Sequence, residues 1–325
     1  MKETLLHMLK ANENEYVSGQ DISNVLNCSR TAIWKHVSDL RAAGYEIEAV
    51  QKKGYRLLRS PDAVTSEEIM LRLETERLGR KIHYYPSLKS TQEMAHHEAA
   101  KADEEGMLVV ADEQTGGRGR LGRSWHSPSG TGIWMSLILK PRIPLQKAPQ
   151  LTLLTAVAVV RAIEKKTGLA ADIKWPNDIL LNGKKIVGIL TELQAEADQI
   201  HSVIIGMGMN INQKLEHFQE DIRSIATSLH IESGKEFVRA DLIAAVMLEI
   251  EELYDIYLKD GFGLIKLLWE SRALSLGRRI TARSLNGTVK GLAKGITDDG
   301  VLLLEDDEGR VHSIYSADIE ISTNE

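Results

Sequence analysis

An α+β fold in several domains is predicted by three changes of texture along the 325 residues. Residues 1–62 read as short helices followed by a hairpin. Residues 63–275 alternate buried apolar runs with long helical periodicity, and residues 276–325 break into short strands divided by glycines and acids. A chain of this length can hold two or three cores. Its net charge of -6 and 26% charged residues are ordinary for a globular chain. No apolar run reaches the roughly 18 residues of a membrane span, so no membrane partner is expected. The N-terminal MKETLLHMLKANENE carries charges throughout, unlike a signal peptide, which predicts a cytoplasmic protein. The single cysteine, Cys28, excludes an internal disulfide and any cysteine-cluster metal site.

Leu5, Leu6 and Leu9 form a first apolar stripe. Ser18 can cap a short helix that buries Ile22, Val25 and Leu26, and Asn27-Cys28 reads as a tight turn. Ser29 caps a second helix, in which Ile33, Val37 and Leu40 face inward and Arg30, Thr31, Trp34 and Lys35 outward. Gly44 ends it, and YEIEAV and GYRLL, joined by QKK, form a hairpin. Helix, turn, helix and hairpin make a winged helix-turn-helix, whose second helix enters a DNA major groove. Residues 30–59 carry seven Lys or Arg against three acids, a local +4 in a chain of -6. A small protein-interaction module is the alternative, with Trp34 in its core.

AVTSEEIMLRLETERLGR reads as a connecting helix capped by Thr65 or Ser66, and KIHYYPS as the first strand of the central domain. Ser90 and Glu93 have capping-box spacing, which sets Ser90 and Thr91 at a helix N-terminus. His96 and His97 are adjacent, point to different helix faces and read as a solvated pair. LTLLTAVAVVRAIEKKTG is a buried helix, and Asn182-Gly183 a two-residue hairpin signal. Strict alternation after that turn puts Lys185, Val187 and Ile189 on one strand face, where Lys185 is either partly enclosed and in need of an anionic partner or a strand-edge lysine that blunts aggregation. HSVIIGMGMNIN is a buried strand in which Gly206 and Gly208 permit close approach and Asn210 ends the strand. Residues 214–272 read as mainly helical.

The stretch around which the chain is organised is GGRGRLGRSW, Gly116 to Trp125, with four glycines and three arginines. It falls within about twenty residues of non-periodic chain between two apolar strands, a length that points to function. Glycines admit close backbone approach, and guanidinium forks suit phosphate or carboxylate. Gly117, Gly119 and Gly122 spell GxGxxG, but no helix start follows and no acid lies in residues 136–146, so this is no dinucleotide fingerprint. The reading is a flexible anion-binding loop that closes over its ligand.

Taken in order, KST at Lys89 to Thr91, EQTGGRGRLGRSW at Glu113 to Trp125, KWPNDI at Lys174 to Ile179, GKKIVGIL at Gly183 to Leu190 and GMGMNIN at Gly206 to Asn212 make the chain resemble the bifunctional biotin protein ligases that also repress biotin genes. The resemblance spans the chain. It implies a winged helix-turn-helix over 1–62, a class II synthetase-like ligase domain with a mixed sheet over 63–275, and an SH3-like barrel over 276–325. It implies an enzyme that makes biotinyl-5′-AMP from biotin and ATP, with Mg²⁺ on the phosphates, and passes biotin to a lysine of the biotin carboxyl carrier protein of acetyl-CoA carboxylase, or of other carboxylases. The adenylate-bound form would be a homodimer on operator DNA.

The resemblance implies Ser90, Thr91, Gln92, Gln114, Gly117, Arg118, Gly119, Arg120, Lys185 and Gly206 around biotin. It implies Arg120, Leu121, Gly122, Arg123, Trp125, Asn177, Asp178 and Asn210 around the nucleotide, with Trp125 stacked on adenine. Lys185, Arg118 and Arg120 would stabilise charge near the α-phosphate, and no protein metal ligand is implied. Ser29, Arg30, Thr31, Trp34, Lys35, Lys52 and Lys53 would meet DNA. Gln92 and Leu121 depart from an asparagine and an arginine found in some relatives. A lipoate ligase, or a regulator that senses a small molecule without adenylating it, are the other readings.

Overall fold

A computed structural model describes residues 1–12, 15–101, 104–196, 199–284 and 287–321. At the N-terminus α1 (Lys2–Ala11), α2 (Gly19–Leu26) and α3 (Arg30–Ala42) precede a hairpin of β1 (Glu46–Val50) and β2 (Gly54–Arg59). The caps act as expected: Ser18 accepts from Asp21 N at 3.1 Å and Ser29 from Ala32 N at 3.2 Å, while Asn27 takes the left-handed conformation between the helices. Leu5, Leu6, Leu9, Ile22, Leu26, Ile33, Val37 and Leu40 close one core with Ile47 and Leu57. Val25 departs from expectation. It is 57% exposed, because helical spacing turns it away once Ile22 and Leu26 face in.

The connecting helix is much shorter than predicted: α4 is Ser66–Met70 alone, capped by Thr65. The chain then turns because Glu251 takes over its amides, accepting from the N–H groups of Glu76, Arg77 and Leu78 at 2.6, 2.8 and 2.7 Å. Burial pushes the Glu251 carboxyl up, but those three donors outweigh it and hold it below the usual carboxylate range. Being depressed on folding, it stabilises the fold above the unfolded value of about 4.3, and that contribution is lost as pH falls through the folded value. Glu251→Ala is expected to cost about 3 kcal/mol in urea unfolding at pH 7, and less at pH 3. Equal losses at both pH values would refute this role.

The central sheet runs in the order β3-β4-β5-β9-β8-β7-β6, with β3 and β4 parallel and every other pair antiparallel. Its strands are β3 (Ile82–Leu88), β4 (Leu108–Gln114), β5 (Gly132–Leu139), β6 (Asp172–Lys174), β7 (Asp178–Leu181), β8 (Lys184–Glu196) and β9 (Gln199–Asn210). One face packs on α6 (Ala148–Thr167) and α8 (Arg239–Asp260) through residues such as Leu137, Leu139, Val203 and Ile205. On the other face α5 (Thr91–Ala99) covers Val109, Ile138 and Ile204 but reaches no further. The positions that continue Ile204 along β9 on that face are Gly206, Gly208 and Asn210. A short α5 therefore leaves a glycine-floored trough on the sheet.

Helices α7 (Leu229–Ser233) and α9 (Gly263–Glu270) complete the domain. Residues 214–228, expected within a helical region, hold two 3₁₀ turns, a further turn at 223–225 and non-helical chain. From Arg279, β10 (Arg279–Ser284), β11 (Gly287–Ile296), β12 (Leu302–Glu305), β13 (Val311–Ile314) and β14 (Asp318–Ile321) form an antiparallel sheet ordered β13-β12-β11-β10-β14, the expected small SH3-like unit. Among the described residues, no helix is long and apolar enough to cross a membrane.

Candidate active site

The trough is a cavity of about 520 Å³. Its inner end is built from neutral hydrogen-bonding groups. Thr91 N and Oγ1 both donate to Gln114 Oε1, at 2.8 and 3.1 Å, and Gln114 Nε2 donates to Ser127 Oγ at 3.0 Å. Ser136 Oγ lies 2.9 Å from Thr91 Oγ1 and 3.0 Å from Gln92 Oε1. Gln92 Nε2 reaches the carbonyls of Leu190 and Ile204, both at 3.3 Å, which locks its amide against the sheet. A Cβ on Gly206 would meet Gln92 Oε1 at 2.5 Å, so glycine there is a packing requirement. Ser90 caps α5, but the capping box is only half formed, because the Glu93 carboxylate faces Lys89 at 3.2 Å and Arg118 at 2.9 Å.

The arginine stretch is not an open loop. Arg118 and Ser124 form a bridge, Gly119 N donates to Arg123 O at 2.7 Å, and Trp125 N donates to Gly117 O at 2.9 Å. Leu121, with φ 57, and Gly122, with φ 74, make the tip, where the left-handed backbone suits glycine. A Cβ on Gly117 would meet Trp125 O at 2.5 Å, so the two arms could not close with a side chain there. Each arginine has a protein partner. Arg118 pairs with Glu93, Arg123 with Asp318, and Arg120 donates to Asn177 Oδ1 at 3.0 Å and Ser316 Oγ at 2.8 Å. Burial lowers the Arg120 guanidinium, with Asp318 and Asp178 acting against it, whereas the hydrogen bond to Asp318 raises Arg123. Arg118, Gly119, Arg120, Arg123 and Trp125 line the cavity; Gly117, Leu121 and Gly122 are not among its lining residues.

Lys185 lines the same cavity for a reason that strict alternation hides. Leu180 pairs with Lys185 but Ile179 pairs with Val187, so Ile186 is an extra residue in β8. This β-bulge moves Lys185 onto the face of Gly188 and Leu190, opposite to the predicted Val187 and Ile189. The bulged backbone pairs with a passing segment: Lys185 N donates to Ile225 O at 2.8 Å, and Thr227 N to Lys185 O at 3.0 Å. The Lys185 ammonium then meets the anion its enclosure demanded, Asp178 Oδ1 at 2.6 Å, and stands 5.2 Å from the Trp125 ring. The indole itself lies over Gly188 and Gly208, cross-strand partners on which a Cβ would come within 2.9 and 2.5 Å of it. Asn177 is held by Ile189 O at 2.8 Å, and Asn210 by Thr227 O at 3.1 Å.

In the N-terminal module Ser29, Arg30, Thr31, Trp34, Lys35, Lys52 and Lys53 are all exposed, and Trp34 is 62% exposed, so it belongs to no core. Arg41, counted in the basic excess, instead donates to Ile47 O at 2.6 Å, and Arg56 pairs with Glu48 at 2.7 Å.

Comparison with known proteins shows what this assembly is. The model of the biotin/lipoate A/B protein ligase family matches residues 84–210, a helix-turn-helix model residues 2–56, and the biotin protein ligase C-terminal domain residues 275–322. A bifunctional ligase/repressor of Bacillus subtilis is 54% identical over 99% of this chain and 98% of its own. The chain belongs to the bifunctional biotin protein ligase family. The Escherichia coli bifunctional ligase/repressor is 27% identical over 90% of this chain and 89% of its own. The Aquifex aeolicus biotin protein ligase in complex with biotin and ATP superposes with a TM-score of 0.65, at 30% identity, over 75% of this chain and 99% of that one.

Two parts of the ligase cavity escaped the sequence reading. One is Gln213 with His217, Phe218, Ile222, Ile225 and Ala226, in a segment without periodicity that bears no motif. The other is Ala317 to Glu320, from the last strand of the C-terminal sheet and the residue before it. His96, read as half of a solvated pair, is held to Glu192 at 2.9 Å, and only His97 is exposed.

Proposed function

We propose that this protein is an ATP-dependent biotin protein ligase and a repressor controlled by its own intermediate. The observation that carries the reading is a single trough with a neutral amide and hydroxyl end, a cationic middle at Arg118, Arg120 and Lys185, and an aromatic wall at Trp125. Biotin matches that order: a polar ureido head, an apolar chain and a carboxylate. Ser90, Thr91, Gln92 and Gln114 hold the head, with Gly117, Gly119 and Gly206 allowing close approach. Arg118, Arg120 and Lys185 flank the carboxylate and the α-phosphate. Arg120, Leu121, Gly122, Arg123, Trp125, Asn177, Asp178 and Asn210 surround the nucleotide, with the base on Trp125.

The biotin carboxylate attacks the α-phosphorus of ATP, forming an acyl phosphate bond and expelling pyrophosphate. The substrate brings its own nucleophile, so the protein contributes position and positive charge. In the second half-reaction a neutral lysine amine of the biotin carboxyl carrier protein of acetyl-CoA carboxylase, or of another biotin-dependent carboxylase, attacks the acyl carbon. AMP leaves and an amide remains. Among the described residues no group of three His, Cys, Asp or Glu could hold a metal, and Asp178 is paired with Lys185. Mg²⁺ bound with ATP would neutralise phosphate charge.

The exposed α3 residues and the Lys52–Lys53 wing tip form the operator-binding face, and a homodimer of the adenylate-bound form places two such faces on DNA. Such partners imply a cytoplasmic site of action. Incubation with biotin, ATP and Mg²⁺, then mass detection, is expected to reveal protein-bound biotinyl-5′-AMP. ATP–pyrophosphate exchange that persists without biotin would defeat the reading. Because the matching family also includes lipoate ligases, calorimetric titration with both acids is the control: biotin is expected to bind and lipoate not.

A further inference from the structure

Two charged clusters, each built on a buried arginine, tether the DNA-binding module, and both converge on the first turn of α8. In the first, Arg239 is 2% exposed. Its backbone N, its Nε and one terminal nitrogen donate to Oδ1, Oδ2 and the carbonyl of Asp62, each at 2.9 Å. Asp62 lies in the link between β2 and α4, the tether of the module. The other terminal nitrogen of Arg239 donates to Asp112 Oδ1 at 2.9 Å and Gly132 O at 3.1 Å. In the second cluster, Tyr45 of the module donates to the fully buried Glu68, which pairs with Arg72. Arg72 in turn meets Asp241 Oδ1 at 2.5 Å.

The first cluster also grips both edges of the ligand trough. Asn212 Nδ2 donates to Asp62 Oδ2 at 3.2 Å, and Asn212 lies between Asn210 and Gln213, which both line the trough. Asp112 Oδ2 accepts from Ser129 Oγ and from Gly130 N at 3.1 Å, beside the trough residue Pro128. A buried arginine between two carboxylates adds little stability compared with an apolar replacement. A ligand-driven shift of residues 210–213 reaches Asp62 through the Asn212 side chain, and one of residues 128–130 reaches it through Asp112 and Arg239.

We propose that Arg239 is a positioning residue: through Asp62 it sets the orientation of the DNA-binding module according to what the trough holds. This rests on the function proposed above and adds the physical route of its regulation. If ligand and DNA are coupled, each strengthens the other's binding, by a factor of about 5–150 in typical cases.

The test uses the full chain, with duplexes selected from a random-sequence pool by the wild-type protein in biotin, ATP and Mg²⁺. DNA affinity is measured with and without biotin and ATP for wild type, Asp62→Asn, Arg239→Met and Arg239→Lys, alongside pyrophosphate exchange and thermal unfolding. Asp62→Asn keeps the shape of the tether should Arg239→Met fold poorly. The expected result is that Asp62→Asn and Arg239→Met keep exchange near the wild-type rate while their affinity ratio falls to near one, and that Arg239→Lys recovers part of it. A wild-type ratio retained in both variants would overturn the proposal, as would a loss of exchange in step with thermal stability in both. A wild-type ratio of one would instead refute the repressor reading on which it rests.

Discussion

Lys185→Ala is expected to lower biotin-dependent ATP–pyrophosphate exchange by about 10²–10³-fold, the usual cost of removing one preorganised charge-stabilising donor. The bulge in β8 holds the ammonium on the trough floor, 2.6 Å from Asp178 and 5.2 Å from the Trp125 ring, so it needs little reorganisation when charge develops at the α-phosphate. The fall should lie in kcat with a smaller change in the KM for ATP, since a cation that acts in the transition state is lost. Removing Lys185 also leaves Asp178 unpaired, so Lys185→Ala combined with Asp178→Asn separates the two effects. The double variant should stay inactive. Recovery of exchange in it would mean that Lys185 only neutralises Asp178, and the assigned role would fail. Arg118→Ala should also reduce exchange strongly.

Gly208→Val is expected to raise the KM for ATP about tenfold or more, since a stacked base is worth about 1–3 kcal/mol. A Cβ at this position would come within 2.5 Å of Trp125 Nε1, so the indole must leave its seat on Gly188 and Gly208. The side chain it displaces is movable and valine suits a strand, so thermal stability should change little. Biotin binding, at the Gln92 and Gly206 end, should be nearly unaffected. Tighter ATP binding in the variant, or a defect confined to biotin, would show that Trp125 is not the wall for the base.

Helix starts were legible because a serine or threonine bonds the amide three residues on, as Ser18, Ser29, Thr65 and Ser90 do. The turn at Asn182-Gly183 was legible because both residues take positive φ. Composition and motif order pointed to the trough, and of the residues implied for biotin and nucleotide all but Gly117, Leu121 and Gly122 line it. The face of Lys185 was misread because a bulge depends on what the neighbouring chain offers, here the backbone of Ile225 and Thr227. The turn after α4 was misread as helix because its amides are satisfied by Glu251, about 175 residues away.

What the amino-acid order determined alone is therefore what interactions within about four residues decide: caps, turns, apolar faces, and the clustering of glycine with arginine. What only the folded chain decided is which partner each charge meets. Arg123 finds Asp318 at the start of the last strand and Arg120 finds Ser316 in the bend before it, 195 and 196 positions away. Arg239 gathers Asp62 and Asp112 from two different segments. Such pairings follow from how layers stack and strands register, and a buried ion is tolerated only where that stacking brings its counter-charge within contact.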